Sequence, residues 1–254
     1  MTFRHGKSTA LYLDSLDASP YFNAADSGRT LTTADVTAFG AQGKAYIAGL
    51  EDASFNASGF FDGAVGQIDD RLQALTTAGV SYAATYCPDG GAVVGRLCRV
   101  LDLINTNVTP SSPVASATAL KLSAQVTGGA DWGRVLNNAA QLSALTTGTG
   151  VDGGATSASL IGGQMNVHIT FNTRSTATDV KVQHSTDNAV WVDLTGAQQT
   201  VPAGVAVDAT HPFGQPTAYP VNTAAIAVNR YLRAVITPVA GTGTISAVVA
   251  FARF

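Results

Sequence analysis

At 254 residues the chain is long enough for two domains of ordinary size or one large β domain, and 46% hydrophobic residues suffice to fill real cores. Only 12% of residues are charged, glutamate occurs once (Glu51) and lysine four times, so the residues that favour solvent-exposed helices are scarce and the composition reads as mainly β. A net charge of −3 and the lack of any basic run with interleaved aromatics argue against a protein that grips nucleic acid. The basic start Met1–Lys7 leads into an apolar run too short for a signal peptide or a membrane span before it meets Asp14.

In chain order, Ser8–Leu13 reads as a first strand with Leu11 and Leu13 on one face and Tyr12 on the other, and Ser19-Pro20 turns the chain. Tyr21–Ala25 and Gly28–Phe39 lead into a polar, glycine-punctuated excursion, about residues 30–52, that carries Phe39, Lys44, Tyr46, Glu51 and Asp52. The alternating run Ser54–Ser58 then closes on Gly59-Phe60-Phe61-Asp62-Gly63. A helix is expected over about residues 64–78, because Val65, Ile68, Leu72 and Leu75 fall on one face, with Asp62 or Gly63 at its start and Gly79 as its stop. Strands resume at Ser81–Cys87 and Ala92–Asn105 around the turn Pro88-Asp89-Gly90-Gly91. Thr109–Pro113 breaks the run, and Ala119–Val126 alternates again. Cys87 and Cys98 sit in consecutive strands; without a secretory signal they read as reduced core thiols, a disulfide across the hairpin being the alternative.

Residues 1–137 thus read as one domain of antiparallel strands plus a packed helix, and 138–163 as a linker or loops. Residues 164–254 read as an all-β sandwich. Met165, Val167, Ile169 and Phe171 alternate with Asn166, His168, Thr170 and Asn172, which predicts a half-buried strand with His168 on its outer face. Val180–His184 and Val190–Leu194 form a hairpin, and Tyr231–Thr237 and Thr244–Phe254 are the last strands.

The chemistry of catalysis is poorly represented. His5, His168, His184 and His211 are scattered, no Gly-x-Ser-x-Gly elbow is present, and two isolated cysteines with no His-x-x-x-His pair leave no zinc spacing. Gly40-Ala-Gln-Gly-Lys44 lacks the spacing of a phosphate loop, and Ala45 offers no hydroxyl for magnesium. No cofactor, metal or catalytic residue is assigned, and the chain is not expected to be an enzyme.

The stretch Thr30–Gly63, TLTTADVTAFGAQGKAYIAGLEDASFNASGFFDG, resembles the corresponding stretch of major tail tube proteins of long-tailed, siphovirus-like bacteriophages. The resemblance implies a tail-tube-like β-sandwich or partial barrel with one flanking α-helix. Such subunits polymerise into rings, hexameric by analogy, that stack into a tube. The tube is a virion component made in the host cytoplasm, and it meets a tape measure protein and tail terminator or tip proteins. DNA passes through its lumen without specific binding. On this chain the resemblance makes about 30–52 a stacking loop and residues 1–9 a terminal arm, so inter-ring or inter-subunit contacts are expected at Phe3, Arg4, Lys7, Phe39, Lys44, Tyr46, Glu51 and Asp52, with Glu51 partnered on a neighbour. Residues 1–137 are expected to form rings alone, and lumen-facing strands to present Asp, Ser and Thr rather than arginine; twelve acidic residues against nine basic in that half allow it.

The second half, through VKVQHSTDNAVWVDL and NRYLRAVI…AFARF, resembles β-sandwich modules appended to phage structural proteins. That implies decoration or weak contact with host-surface sugars, with Trp191, Tyr219 and Tyr231 as candidate recognition residues. A capsid decoration or cement protein and a carbohydrate-binding β module are the alternatives.

Overall fold

The computed structural model describes residues 6–39, 42–127, 131–154, 156, 162–171, 177–201, 218–219, 227–238 and 244–253. A one-turn 3-10 segment, Gly6–Ser8, precedes β1 (Ala10–Leu13) and β2 (Leu16–Asp17), followed by β3 (Phe22–Asp35), β4 (Tyr46–Phe60), helix α1 (Ile68–Ala78), β5 (Tyr82–Cys87), β6 (Leu97–Ser111), β7 (Ala119–Val126) and β8 (Asp131–Leu142). Two short strands, β9 (Thr146–Thr147) and β10 (Val151–Asp152), lead to β11 (Gly163–Phe171), β12 (Thr178–Ser185), β13 (Val192–Val201), β14 (Ala218–Tyr219), β15 (Tyr231–Pro238) and β16 (Ile245–Arg253). The fold is mainly β, as composition predicts, and every strand pair among the described residues is antiparallel.

An 11-stranded sheet runs β14-β11-β16-β8-β6-β5-β1-β2, and β6 also carries the branch β7-β4-β3. The second sheet runs β10-β15-β12-β13 with β9 beside β15. Three apolar clusters result. Helix α1 lays Ile68, Leu72 and Leu75 onto a core with Leu11, Leu13, Phe55, Tyr82, Leu101, Leu103, Leu120 and Leu122. A second core lies between the two sheets, with Leu136, Met165, Val167, Ile169 and Phe251 facing Val180, Val182, Leu232 and Ile236. The third gathers Cys87, Cys98, Val100, Val135, Val248, Ala250 and Ala252, and both cysteines in it are buried free thiols.

The helix is shorter at its start than the periodicity predicts. It begins at Ile68 with Gln67 as N-cap, because Gly66 at φ 78° and the Gln67 N–H to Ala64 O bond (2.9 Å) turn the chain just before it; Val65 lies outside it and is 85% exposed. It ends where expected: Gly79 takes φ 61°, ψ 28°, and its N–H bonds Leu75 O and Thr76 O. Strand β6 runs on through Pro110 to Ser111 instead of breaking. Beyond Asn105 its pairing is with β7 alone, so the N–H that Pro110 lacks has no ladder partner to lose.

The boundary expected at residue 137 falls inside β8, whose residues Gly133–Leu142 pair with β16. Strand β11 is buried on both faces, not half-buried. Asn166 Nδ2 donates to Ala84 O (2.8 Å) and Leu101 O (2.9 Å), and His168 is 3% exposed. The polar face that reads as solvent-facing is apposed to the backbones of β5 and β6, which supply the hydrogen-bond partners water would otherwise provide. His168 Nδ1 donates to Asp14 O (2.6 Å) and Nε2 accepts from Thr85 Oγ1 (2.7 Å).

Candidate assembly surface

The excursion around residues 30–52 is not an irregular loop but a long hairpin. β3 and β4 pair from Phe22↔Gly59 out to Asp35↔Tyr46, whereas β7 stays beside β4 only as far as Ser54↔Gln125. Past that point, among the described residues, the ribbon has two strands and no third, so residues 29–35 and 46–52 project as an arm about 20 Å long before the tip is counted. Alternating threonines and β-branched or aromatic residues sustain the pairing. A register shift at Leu31/Thr33 bulges the ribbon. Gly49 sits in that bulge, where a Cβ would lie 2.6 Å from Thr32 Oγ1, while Thr32 Oγ1 donates to Leu50 O (2.8 Å).

At the tip, Asp35 Oδ1 accepts the Thr37 N–H (2.9 Å), Thr37 Oγ1 accepts the Ala45 N–H (2.9 Å), and Lys44 Nζ lies 3.9 Å from Asp35 Oδ2. The Thr37 hydrogen bonds hold the Asp35 carboxyl below its ordinary range. The arm leaves large apolar side chains in water: Leu50 is 86% exposed, Leu31, Tyr46 and Ile47 each about half, and Phe39 wholly. Exposed apolar groups concentrated on one narrow projection are the pattern of a surface awaiting a partner.

The expected contact residues divide as follows. Phe39, Lys44 and Tyr46 sit at the tip. Glu51 and Asp52 sit at the root, and both are engaged within the chain: Arg29 pairs with Glu51, and Gln125 Nε2 donates to Asp52 Oδ1. Arg29 also reaches Asp131 Oδ1 at 3.3 Å. Lys7 is in the exposed N-terminal turn. Phe3 and Arg4 lie outside the described residues. Arg29, Leu31, Ile47 and Leu50 belong to this surface although sequence reasoning passed over them. The hairpin register is the signal that finds Arg29, since it sets the lone arginine of the run diagonally across from the only glutamate.

Behind the arm's root, the face of β3, β4 and β7 turned away from α1 presents Asp26, Ser54, Asn56, Ser58, Lys121, Ser123 and Gln125. With Asp52, which Gln125 bonds at the root, it carries two acids (Asp26 and Asp52), one base (Lys121) and no arginine. Pairing puts Asn56 beside both Asp26 and Ser123, and Asn56 Nδ2 donates to Asp26 Oδ1 at 3.3 Å.

Of the candidate recognition aromatics, Trp191 and Tyr231 each have an arginine against the ring. Arg233 covers Trp191 at 4.3 Å from the ring centre, and the ring also packs on Gly150, where a Cβ would stand 2.9 Å from it. Tyr231 has Arg230 at 5.1 Å over its ring, and Tyr219 is placed by its backbone pairing with Met165. Among the described residues no three His, Cys, Asp or Glu side chains group as metal ligands, and no helix is long and apolar enough to cross a membrane. His168, whose two ring nitrogens are both engaged, is pushed down to about 4 by burial, and His184 Nδ1 accepts the Asn229 N–H (3.2 Å).

No protein-family model matches the sequence, and no curated protein matches it. Among solved structures the chain is similar to a chain of the virion of a native gene transfer agent particle, at 18% identity and TM-score 0.42, over 51% of this chain and 98% of that one. It is similar to the tail tube of SPP1 at 13% identity and TM-score 0.41, over 50% of this chain and 77% of that one. It is also similar to SPP1 Dit (gp 19.1), described as a hub of the adsorption apparatus, at 12% identity and TM-score 0.37, over 97% of this chain and 99% of that one.

Proposed function

We propose that the chain is a structural subunit of a phage tail, assembling with copies of itself into stacked rings that form the tail tube and conduct DNA on ejection. The observation that carries this reading is the arm: a two-stranded projection exposing Leu31, Phe39, Tyr46, Ile47 and Leu50, whose apolar side chains find cover only on another molecule. In the assembled tube the arm spans from one ring to the next, and Phe39, Lys44 and Tyr46 at its tip make the contact. Phe3, Arg4 and Lys7 act as a second tie, and the ring is hexameric. Tape measure and terminator or tip proteins are the other partners.

The small, polar, almost uncharged face of β3, β4 and β7 supports the same reading, because a wall that conducts DNA must not grip phosphates. Affinity grows with each phosphate neutralised, and on this face the one lysine, Lys121, is outnumbered by Asp26 and Asp52. On this reading Asp26, Asn56 and Ser123 line the bore and the second sheet lies outside. Electron microscopy of the purified chain is the test. Hollow tubes or stacked rings are expected. Compact trimers, or monomers that never assemble at high concentration, overturn the proposal.

A further inference from the structure

We propose that Arg29 and Asp52 are positioning residues that aim the arm by clamping its root on opposite faces. The inference rests on the reading of the arm as the stacking element. Among the described residues the ribbon has no third strand past Ser54, and a two-stranded hairpin alone is marginal in water, so the ladder by itself holds its direction relative to the sheet only weakly. Two ties cross that hinge. On the face continuous with buried Ala53 and Phe55, Arg29 joins Glu51 within the arm and reaches Asp131 Oδ1, 3.3 Å away, at the start of β8. On the other face, which carries Ser54 and Asn56, Gln125 of β7 donates to Asp52 of β4.

The anchors lie on two different strands outside the arm, so a swing toward either face stretches one tie. At this exposure, with the Arg29 side chain 46% accessible, such pairs add little to fold stability. What they restrict is orientation. An arm already aimed loses less freedom when it docks on a second copy than one that must be found by search. Arg29 meets Glu51 only once β3 and β4 are in register, and Asp52 meets Gln125 only once β4 and β7 are.

The test compares the full-length chain with Arg29→Ala, Asp52→Ala, the double variant, Arg29→Lys and a chain lacking residues 31–50, following assembly by light scattering. The double variant is expected to melt with the native chain and keep hydrogen-exchange protection in its arm. Its critical concentration for assembly should rise about fivefold or more. Arg29→Lys should retain part of the native behaviour. Raising salt should raise the critical concentration of the native chain more than that of the double variant, which lacks the Arg29 ion pairs. A double variant that assembles like the native chain overturns the clamp, as does one whose arm loses exchange protection, since the ties would then hold the hairpin together rather than aim it. Assembly of the chain lacking residues 31–50 would instead overturn the stacking reading itself.

Discussion

His168 Nε2 and Thr85 Oγ1 lie 2.7 Å apart in the interior, tying β11 to β5 across 83 residues of sequence. With Nδ1 donating to Asp14 O, the ring is neutral and fully used, and burial lowers its affinity for protons to a pKa of about 4 from an ordinary 6.5. A group that must stay neutral in the fold gives stability that is fully present above pH 6.5 and is lost as pH falls toward 4. His168→Ala should therefore cost about 2–4 kcal/mol at pH 7.5, since it leaves a buried hydroxyl and a carbonyl unpaired. The deficit should shrink between pH 6.5 and 4. Urea unfolding of both proteins across that range checks it, and a pH-independent deficit refutes it.

Asp14 works in the opposite direction. It occupies the tight turn between β1 and β2 at φ 51°, is 3% exposed, has one carboxylate oxygen, Oδ1, without a partner, and is pushed up to about 7 by burial despite the nearby Arg71. An acid whose folded pKa is raised favours the fold most when protonated, so its contribution declines as pH rises from about 4 to 7 and stays unfavourable above. Asp14→Asn keeps the left-handed turn, for which asparagine is well suited, and removes the buried charge. It should stabilise the protein at pH 8 by up to about 4 kcal/mol and change little at pH 3.5. In the native chain the slopes of His168 and Asp14 oppose each other between pH 4 and 6.5, and Asp102, pushed up to about 6 by burial, adds to the decline from Asp14, so stability there should fall gently as pH rises.

Arg253, the last described residue, staples the two sheets. Its Nη2 donates to Asn229 O (2.5 Å) and Arg230 O (2.6 Å), and Nη1 to Gly153 O (3.3 Å), joining β16 of the large sheet to the loops beside β10 and β15 of the small one. Arg253→Ala should destabilise by about 1–2 kcal/mol, as expected when charge-assisted bonds to partly exposed carbonyls are lost. Limited proteolysis should show new cleavage near residue 153, and unchanged protection there would count against the staple.

How far the sequence discloses all this depends on which interactions decide each element. Strands with one wet face, such as β7, alternate cleanly and are legible to the residue: Leu120, Leu122 and Ala124 are buried as the pattern requires. The helix stop at Gly79 is legible because a left-handed cap has its own residue. The inward turn of Asn166 and His168 is not, because a polar residue facing backbone carbonyls and one facing water look alike in a single chain. The arm shows the same limit. Its strands read as a polar loop because their side chains are mostly exposed, and the β3–β4 ladder reveals that the loop is a ribbon, within which Arg29 already partners the glutamate.

The pairing of β8 with β16 bears on the behaviour of residues 1–137 alone. Cutting there removes Val248, Ala250 and Ala252 from Cys98, Val100 and Val135, and removes the core around Leu136 on the other face of the same strand. Both sides of β8 become wet. The fragment should bind a hydrophobic dye and melt without a cooperative transition, whereas the full chain melts sharply. A cooperative melt of the fragment, with ring formation, would show that the first half is self-sufficient.

Leu50 offers the sharpest separation of folding from assembly. It is 86% exposed on the arm, and its own carbonyl, not its side chain, holds the bulge through Thr32. Leu50→Ser therefore removes apolar surface that contributes nothing to the isolated subunit, and the melting temperature should stay within the scatter of ordinary surface substitutions, about 0.5 kcal/mol. Burying a leucine against a neighbour yields about 1.5–3 kcal/mol per contact, so the same change should raise the critical concentration for assembly roughly tenfold or more. Ile47→Ser should act in the same direction, and Val65→Ser, at an equally exposed position outside the arm, should leave assembly as it is. If Leu50→Ser assembles at the native concentration while Val65→Ser does not, the contact surface lies beside the helix instead of on the arm.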